Sequence, residues 1–156
     1  MTVKSIGASG KDYATIALWW ADCPANLVTS VDTWEGELYD EDYNIGSTFT
    51  FSGVTADATY HPTLRAASGQ SFRDTPSNPL RYDSSHAGAT ITRNSNPYQE
   101  LFNISQPHFH FEGLIINSSA SGYLLSIGGG GCKINACILR NTQTSRYCIR
   151  TTGGGR

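Results

Sequence analysis

Between Leu101 and the C-terminus the apolar positions repeat at a step of 23 residues. Leu101, Phe102, Ile104, Phe109, Phe111, Leu114, Ile115 and Ile116 fall on Leu124, Leu125, Ile127, Cys132, Ile134, Cys137, Ile138 and Leu139. Gly113 falls on Ala136, and Asn94, Asn117 and Asn141 follow one another at steps of 23 and 24. The same register is first felt where Gly88 precedes Phe111 and Ile91 precedes Leu114 by one period. A period of this size is the mark of a solenoid. Tyr123 on Tyr147 and Leu124 on Cys148 continue the pattern at a step of 24, and Thr152 to Gly155 falls where four glycines followed Ile127. The last coil therefore reads as unfinished, and the polypeptide is expected to continue beyond Arg156 or to be covered by another subunit.

Each repeat divides into short strands. LFNIS at 101–105 turns through Gln106 and Pro107 into HFHFEGLIIN, and LLSI at 124–127 turns through four glycines into CKINACILRN. Alternation sets Phe109 and Phe111 on one face and His108 and His110 on the other. Two or three strands per 23 residues, with no helix between them, predict a chain wound into coils whose strands pair in parallel about 4.8 Å apart. Aliphatic ladders line the inside, and the asparagines stack at a turn.

Upstream, Thr2 to Ile6 reads as a strand. Tyr13 to Ala21 reads as a helix with Asp12 as its N-cap, an apolar stripe of Tyr13, Ile16, Ala17 and Trp20, and Pro24 as its stop. This is the one helix expected, and it is placed over the open end of the core. Val31 to Tyr39 and Ser47 to Ser52 read as strands separated by the polar turn DEDYNIG. Tyr60 to Ala66 is a third strand, which Pro62 confines to a strand start or a sheet edge. A surface loop over Ser68 to Asn78 and strands at 80–84 and 89–94 follow. The predicted organisation is an N-terminal strand and capping helix over 1–30, irregular first coils over 31–87, and regular coils over 88–156.

The 156 residues allow one domain with a core, and a net charge of −2 argues against a general binder of nucleic acid or membrane surfaces. With 16 glycines and only 15% charged residues, the composition suits a turn-rich β protein. No apolar run approaches the roughly 20 residues that cross a bilayer, and MTVKSIGASG lacks a signal-peptide core. Cys23, Cys132, Cys137 and Cys148 lack metal-ligand spacing and read as buried free thiols. Eight acidic residues lie at or before Asp42, whereas five basic and no acidic residues follow Asn117. This asymmetry reads as two differently solvated surfaces or as opposite ends of an elongated molecule that carry opposite charge and meet partners or one another.

Four segments carry a resemblance: SIGASGKDYATIALWWADCPANLV, TWEGELYDEDYN, SGVTADATYHPTLRAA and ASGQSFRDTPSNPLRYDSSHAGATI. Together they resemble the N-terminal region of right-handed parallel β-helix proteins of the pectate-lyase-like superfamily, as found among bacteriophage structural proteins. The resemblance implies an all-β, right-handed parallel β-helix of about 23 residues per coil with one short N-terminal capping helix. It further implies a non-catalytic structural module of a virus particle, made in the host cytoplasm: a tailspike, fibre or capsid-surface (decoration) protein. The partners implied are sister subunits in a trimer, other virion proteins and surface polysaccharide through carbohydrate binding, without cofactor, nucleic acid or membrane insertion. Members of the superfamily also cleave polysaccharides. One alternative is thus the N-terminal part of a depolymerase, a hydrolase or lyase with its site largely outside these residues. Another is a subunit stacking end to end into an extracellular fibre.

The candidate chemistry is sparse. Glycoside hydrolysis needs two carboxylates some 5–9.5 Å apart. Only Glu100 and Glu112 follow Asp83, and Tyr123 and Asn135 stand one period beyond them, so no carboxylate ladder forms and no catalytic residue is assigned. Glu35 and Glu37 share a strand face. Asp40 and Asp42 share another, as a calcium site or a solvated acidic turn. His108 and His110 form a candidate metal pair or are ordinary outward histidines. Tyr98, Tyr123 and Tyr147 are outward aromatics suited to stacking on sugar rings or to packing against a sister subunit. No Ser-His-Asp order, GxSxG, Walker A or GxGxxG motif is present, and the glycines at 128–131 open no helix.

Overall fold

The computed structural model describes residues 1–74, 88–93, 99–119, 122–142 and 147–152. These residues are mostly β, with two short helices and strands that all pair in parallel. The first sheet orders β1 (Thr2–Ile6), β2 (Trp34–Leu38), β5 (Pro62–Ala66), β8 (His110–Glu112) and β11 (Lys133–Asn135). The second orders β3 (Asp42–Asn44), β6 (Thr90–Arg93), β9 (Ile115–Ser118) and β12 (Ile138–Asn141). The third orders β4 (Phe49–Phe51), β7 (Phe102–Ile104), β10 (Leu125–Ile127) and β13 (Ile149–Thr151). From β2 onward the chain visits the first, second and third sheets in strict rotation.

Register follows the 23-residue step where that step is clean. Phe102 pairs with Leu125, Phe111 with Ile134, and Ile115 and Ile116 with Ile138 and Leu139. Leu125 then pairs with Ile149, the step of 24. Gly113 and Ala136 occupy the same corner, and both take left-handed backbone at φ +68° and +52°. An alanine there costs about 1 kcal/mol, so the small-on-small match records a backbone requirement.

Further upstream the register departs from the period. Ile91 pairs with Ile116 rather than Leu114, and Phe111 pairs with Leu64, not with a residue near Gly88. Thr63 and His110 are neighbours across 47 positions because the connection from β5 to β6 is long, carrying a 3-10 turn at Phe72–Asp74. The asparagine ladder is also corrected. Asn117 lies beside Arg140 and Asn141 beside Ser118, so the two do not stack; Asn94 lies outside the described residues, as do the whole strand read at 80–84 and residues 75–78 of the surface loop.

Burial explains the rotation. In β2 the residues alternate, with Trp34, Gly36 and Leu38 buried and Glu35 and Glu37 half-buried on the outside. Inward rows run from Gly36 through Leu64 and Phe111 to Ile134, from Tyr43 through Ile91 and Ile116 to Leu139, and from Phe51 through Ile104 to Ile127. Four phenylalanines fill the centre. The Phe51 ring lies 4.2 Å from Phe109 and 5.2 Å from Phe102, and Phe102 lies 5.7 Å from Phe111.

The N-terminal helix is shorter than its apolar stripe suggests. α1 spans Ile16–Ala21 and is capped by Thr15, whose Oγ1 accepts the Leu18 N–H at 3.2 Å. Asp12 instead ties the end of β1, accepting the Ser5 N–H at 2.8 Å and the Ser5 hydroxyl at 2.9 Å. Ile16 and Trp19 are buried and Trp20 meets Phe51 edge-on and Phe109 at a tilt of 59°, whereas Ala17 is exposed. A second helix, α2 (Leu27–Ser30), corrects the expectation of a single one. Asn26 caps it through the Thr29 N–H, and left-handed Val31 ends it. Between β1 and β2 these two helices stand where later turns of the chain carry strands of the second and third sheets.

The expected polar turn after β2 hides strand β3. Tyr43 is its anchor: the phenol is buried, donates to the Ile6 carbonyl at 2.7 Å and accepts the Tyr39 N–H at 3.0 Å. Burial pushes its pKa up to about 12. Pro62 begins β5, a central strand, as its missing N–H requires. The four cysteines are free thiols, half-buried rather than fully so. Burial raises Cys23 to about 12 and Cys137 to about 11. No helix among the described residues is long and apolar enough to cross a membrane.

Candidate functional site on the first sheet

Parallel pairing without stagger puts equal positions of neighbouring strands side by side. On the outward face of the first sheet this produces two rows. One runs Glu35, Thr63, His110, Lys133; the other runs Glu37, Arg65, Glu112, Asn135. Arg65 reaches both carboxylates of β2, with its Nε 2.8 Å from Glu35 Oε2 and its Nη2 2.8 Å from Glu37 Oε1. Asn135 Nδ2 donates to Glu112 Oε1 at 3.1 Å. A depression of about 290 Å³ opens between the rows, lined by Glu35, His61, Arg65, His110, Glu112 and Lys133 among others. A larger one, about 430 Å³, adjoins it at Arg65 and Glu112 and continues past Ser71 and Asp74.

At one end of the smaller depression two imidazoles lie against each other. The rings of His61 and His110 are 3.8 Å apart at their centroids and inclined by 46°. His61 Nδ1 and His110 Nε2 are buried and have no hydrogen-bond partner in the protein. Burial, assisted by the nearby charges of Lys133 and His108, lowers the pKa of His61. Burial, then His61 and Lys133, push His110 down to about 4. Both rings are therefore neutral near pH 7. Asp57 fixes the approach to His61 through an Asx turn, its Oδ1 accepting the N–H groups of Thr59 and Tyr60 at 2.7 Å each.

The sequence-based metal candidates fall apart into separate environments. His108 takes a left-handed conformation (φ +55°) that brings its ring against Gly131, near enough for its charge to lower the pKa of His61 and His110. A Cβ at position 131 would collide with His108 Nδ1, and φ there is +72°, so this glycine is required twice over. Asp40 accepts the Gly88 N–H at 2.7 Å, while its own N–H donates to Gln70. Asp42 accepts the Thr92 hydroxyl at 2.5 Å. Each aspartate thus stitches one turn of chain to the next. Among the described residues no group of three or more His, Cys, Asp or Glu gathers to hold a metal ion.

Tyr123 and Tyr147 flank the third sheet. Tyr147 is 77% exposed. Tyr123, one register position away, carries the Arg150 guanidinium 4.9 Å over its ring. Arg150 in turn pairs with Glu100 at 2.7 Å and donates to Ser126 Oγ at 3.2 Å, so one face of Tyr123 is already occupied. Tyr98 lies outside the described residues.

Sequence reasoning missed His61 and Arg65 as partners of His110, Glu35 and Glu37. The strand that bears them was legible, but its distance of 47 positions from β8 concealed the neighbour. The signal that remained was the outward alternation of Thr63 and Arg65 behind Pro62. Comparison with protein families, with curated proteins and with solved structures finds no match for the chain.

Proposed function

We propose that the chain is a three-sided, right-handed parallel β-helix serving as a rigid, non-catalytic module of a virus particle, in a tailspike, fibre or capsid-surface protein. It associates with copies of itself, as a trimer, and with other virion proteins, and touches surface polysaccharide. The observation that carries this reading is the rotation of strands through three parallel sheets, which a single chain wound into stacked coils produces. The resemblance of the N-terminal segments supplies the hand of the coil and the particle.

The outward charges support a mechanical role. Arg65 ties β2 to β5, Asn135 ties β11 to β8, and Arg150 ties β13 to Ser126 of β10 and to Glu100. Side chains that would face a substrate in an enzyme are here joined across strands.

One observation favours the depolymerase reading instead. The acids and bases that the sequence sets far apart meet in the first-sheet depression, where Glu35, Arg65, His110, Glu112 and Lys133 share one hollow. Incubating the full-length protein with purified host polysaccharide and assaying reducing ends separates the two. The structural reading expects no release, a trimeric mass on sedimentation, and density for the coils on the particle by electron cryomicroscopy. Release of reducing ends that disappears in Glu112→Gln overturns it in favour of the enzyme, and a monomer missing from purified particles overturns it outright.

A further inference from the structure

We propose that the stack of His61 on His110 is an acid-released latch: protonating either imidazole parts the rings, frees the turn at 56–60 from β8 and widens the smaller depression of the first sheet. The two rings meet at a centroid distance of 3.8 Å, and His61 Nδ1 and His110 Nε2 are buried against protein that offers them no partner. A neutral imidazole in that place forgoes one hydrogen bond. A protonated one would bury an unpaired charge against its neighbour, which is far more costly. Proton binding is therefore coupled to separation of the rings.

The chain on either side suits such a movement. Thr55 is pinned beside α2, its N–H donating to the Ala25 carbonyl at 2.8 Å and its carbonyl accepting the Leu27 N–H at 2.9 Å, and Pro62 opens a central strand. Between these fixed points the turn is tied to itself. The Asp57 N–H donates to the Tyr60 carbonyl at 3.0 Å, and Asp57 Oδ1 accepts from Thr59 and Tyr60. Tyr60, packed against the core, and the His61 ring hold the turn down. The surrounding charges favour release. Lys133 on β11 and His108 before β8 oppose a charge on either ring, whereas Asp57 and the Ala58 main chain at His61, and the Gly131 main chain at His110, support one more weakly. Glu35 on β2 and Glu112 on β8 line the same hollow, but Arg65 and Asn135 engage their carboxylates. Burial outweighs these effects and holds His110 at about 4 in the closed stack, against an ordinary 6.5. The open form should therefore gain about tenfold in population between pH 7 and pH 5, after allowance for partial exposure of the rings. The proposal is independent of the virion role.

Hydroxyl-radical footprinting of the whole chain reads the opening. Oxidation of Tyr60 should rise about threefold or more from pH 7 to pH 5, while the buried Phe102 and Leu125 stay protected. His61→Phe and His110→Phe each replace a ring that takes a proton with one that does not, so each should reduce the rise and the two together should abolish it. His108→Phe should keep it. A flat Tyr60 signal, an equal rise at Phe102, a rise undiminished in the double variant, or one lost in His108→Phe overturns the latch. Should the double variant fail to fold, titration of the imidazoles of the unmodified chain by NMR decides. His110 should titrate below 6.5, with the main-chain signals of 56–61 shifting in the same step. A midpoint at or above 6.5, or signals in that turn that ignore the step, refutes the proposal.

Discussion

Replacing Arg65 with methionine should destabilise the protein chiefly by releasing two carboxylates that the guanidinium holds together. The side chain is 31% exposed and the two glutamates 16% and 20%, so the pairs are neither fully solvated nor dry. At this exposure each pair is worth about 0.5–1 kcal/mol after screening. Without the arginine, Glu35 and Glu37 face the same way two residues apart on β2, about 7 Å along the strand. At an effective dielectric midway between water and the protein surface their repulsion is about 1 kcal/mol. That repulsion exists in the parent too, where the arginine outweighs it, so the loss is the two attractions, about 1 to 2 kcal/mol at pH 7 and low salt. For a domain of this size that lowers the melting temperature by about 2–8 °C. Methionine preserves most of the apolar stem, so little of the loss comes from packing. Urea unfolding of the parent, Arg65→Met, and Arg65→Met combined with Glu35→Gln and Glu37→Gln gives the assay. The triple variant should recover about half the loss, because the repulsion is gone while the attraction is not restored. A single variant within about 0.5 kcal/mol of the parent, or a triple variant no more stable than the single, would refute the reasoning.

Two further outcomes follow from the same coordinates. A Cβ at Gly36 would lie 2.7 Å from Trp19 Cε2 and 2.9 Å from Ile6 Cδ1, so Gly36→Ala should cost about 1–3 kcal/mol by pushing α1 off the core, read as lower tryptophan anisotropy and a lower urea midpoint; a neutral effect would show that the helix does not seal this end. Stability should fall as pH drops from about 6.5 toward 4. The folded pKa of His110 lies below its unfolded value, so the unfolded chain takes up the proton first, and after discounting for its partial exposure the loss is about 1 kcal/mol. Lys133, His61 and His108 sharpen this drop and Asp57 opposes it at His61. His110→Phe should flatten the pH 7 to pH 5 difference in melting temperature, and an undiminished difference would assign the proton uptake elsewhere.

The fold was legible wherever the spacing between paired strands was constant. Between β7 and β12 the inward side chains must fill one cross-section turn after turn, and that demand writes Phe102 over Leu125 and Phe111 over Ile134. The same demand makes Gly113 and Ala136 correspond, because a corner in left-handed backbone tolerates little beyond a small residue. β3 was illegible for the opposite reason. Its outward Asp42 and Asn44 dominate a three-residue strand, and only Tyr43 turns inward to mark it. The cap assigned to Asp12 fell to Thr15 because the aspartate is more useful at β1, where it satisfies both the N–H and the hydroxyl of Ser5.

The outward face obeys a different constraint. Packing does not fix what lies there, so no period appears in the order of residues along the chain. Each outward side chain answers instead to the one above it and the one below it: Arg65 to Glu35 and Glu37, Asn135 to Glu112, His110 to His61. Those neighbours are set by register across paired strands, and here register passes over the long connection between β5 and β6. An insertion of any length there leaves Thr63 beside His110 so long as the inward Leu64 still meets Phe111. The core therefore determines which charged residues face one another while recording nothing about them in its own repeat. It also explains why the candidate site adjoins the long connection. A connection freed from the period can vary without cost to the core, and the strand that precedes it, β5, carries Arg65 on its outward face and begins one residue after His61.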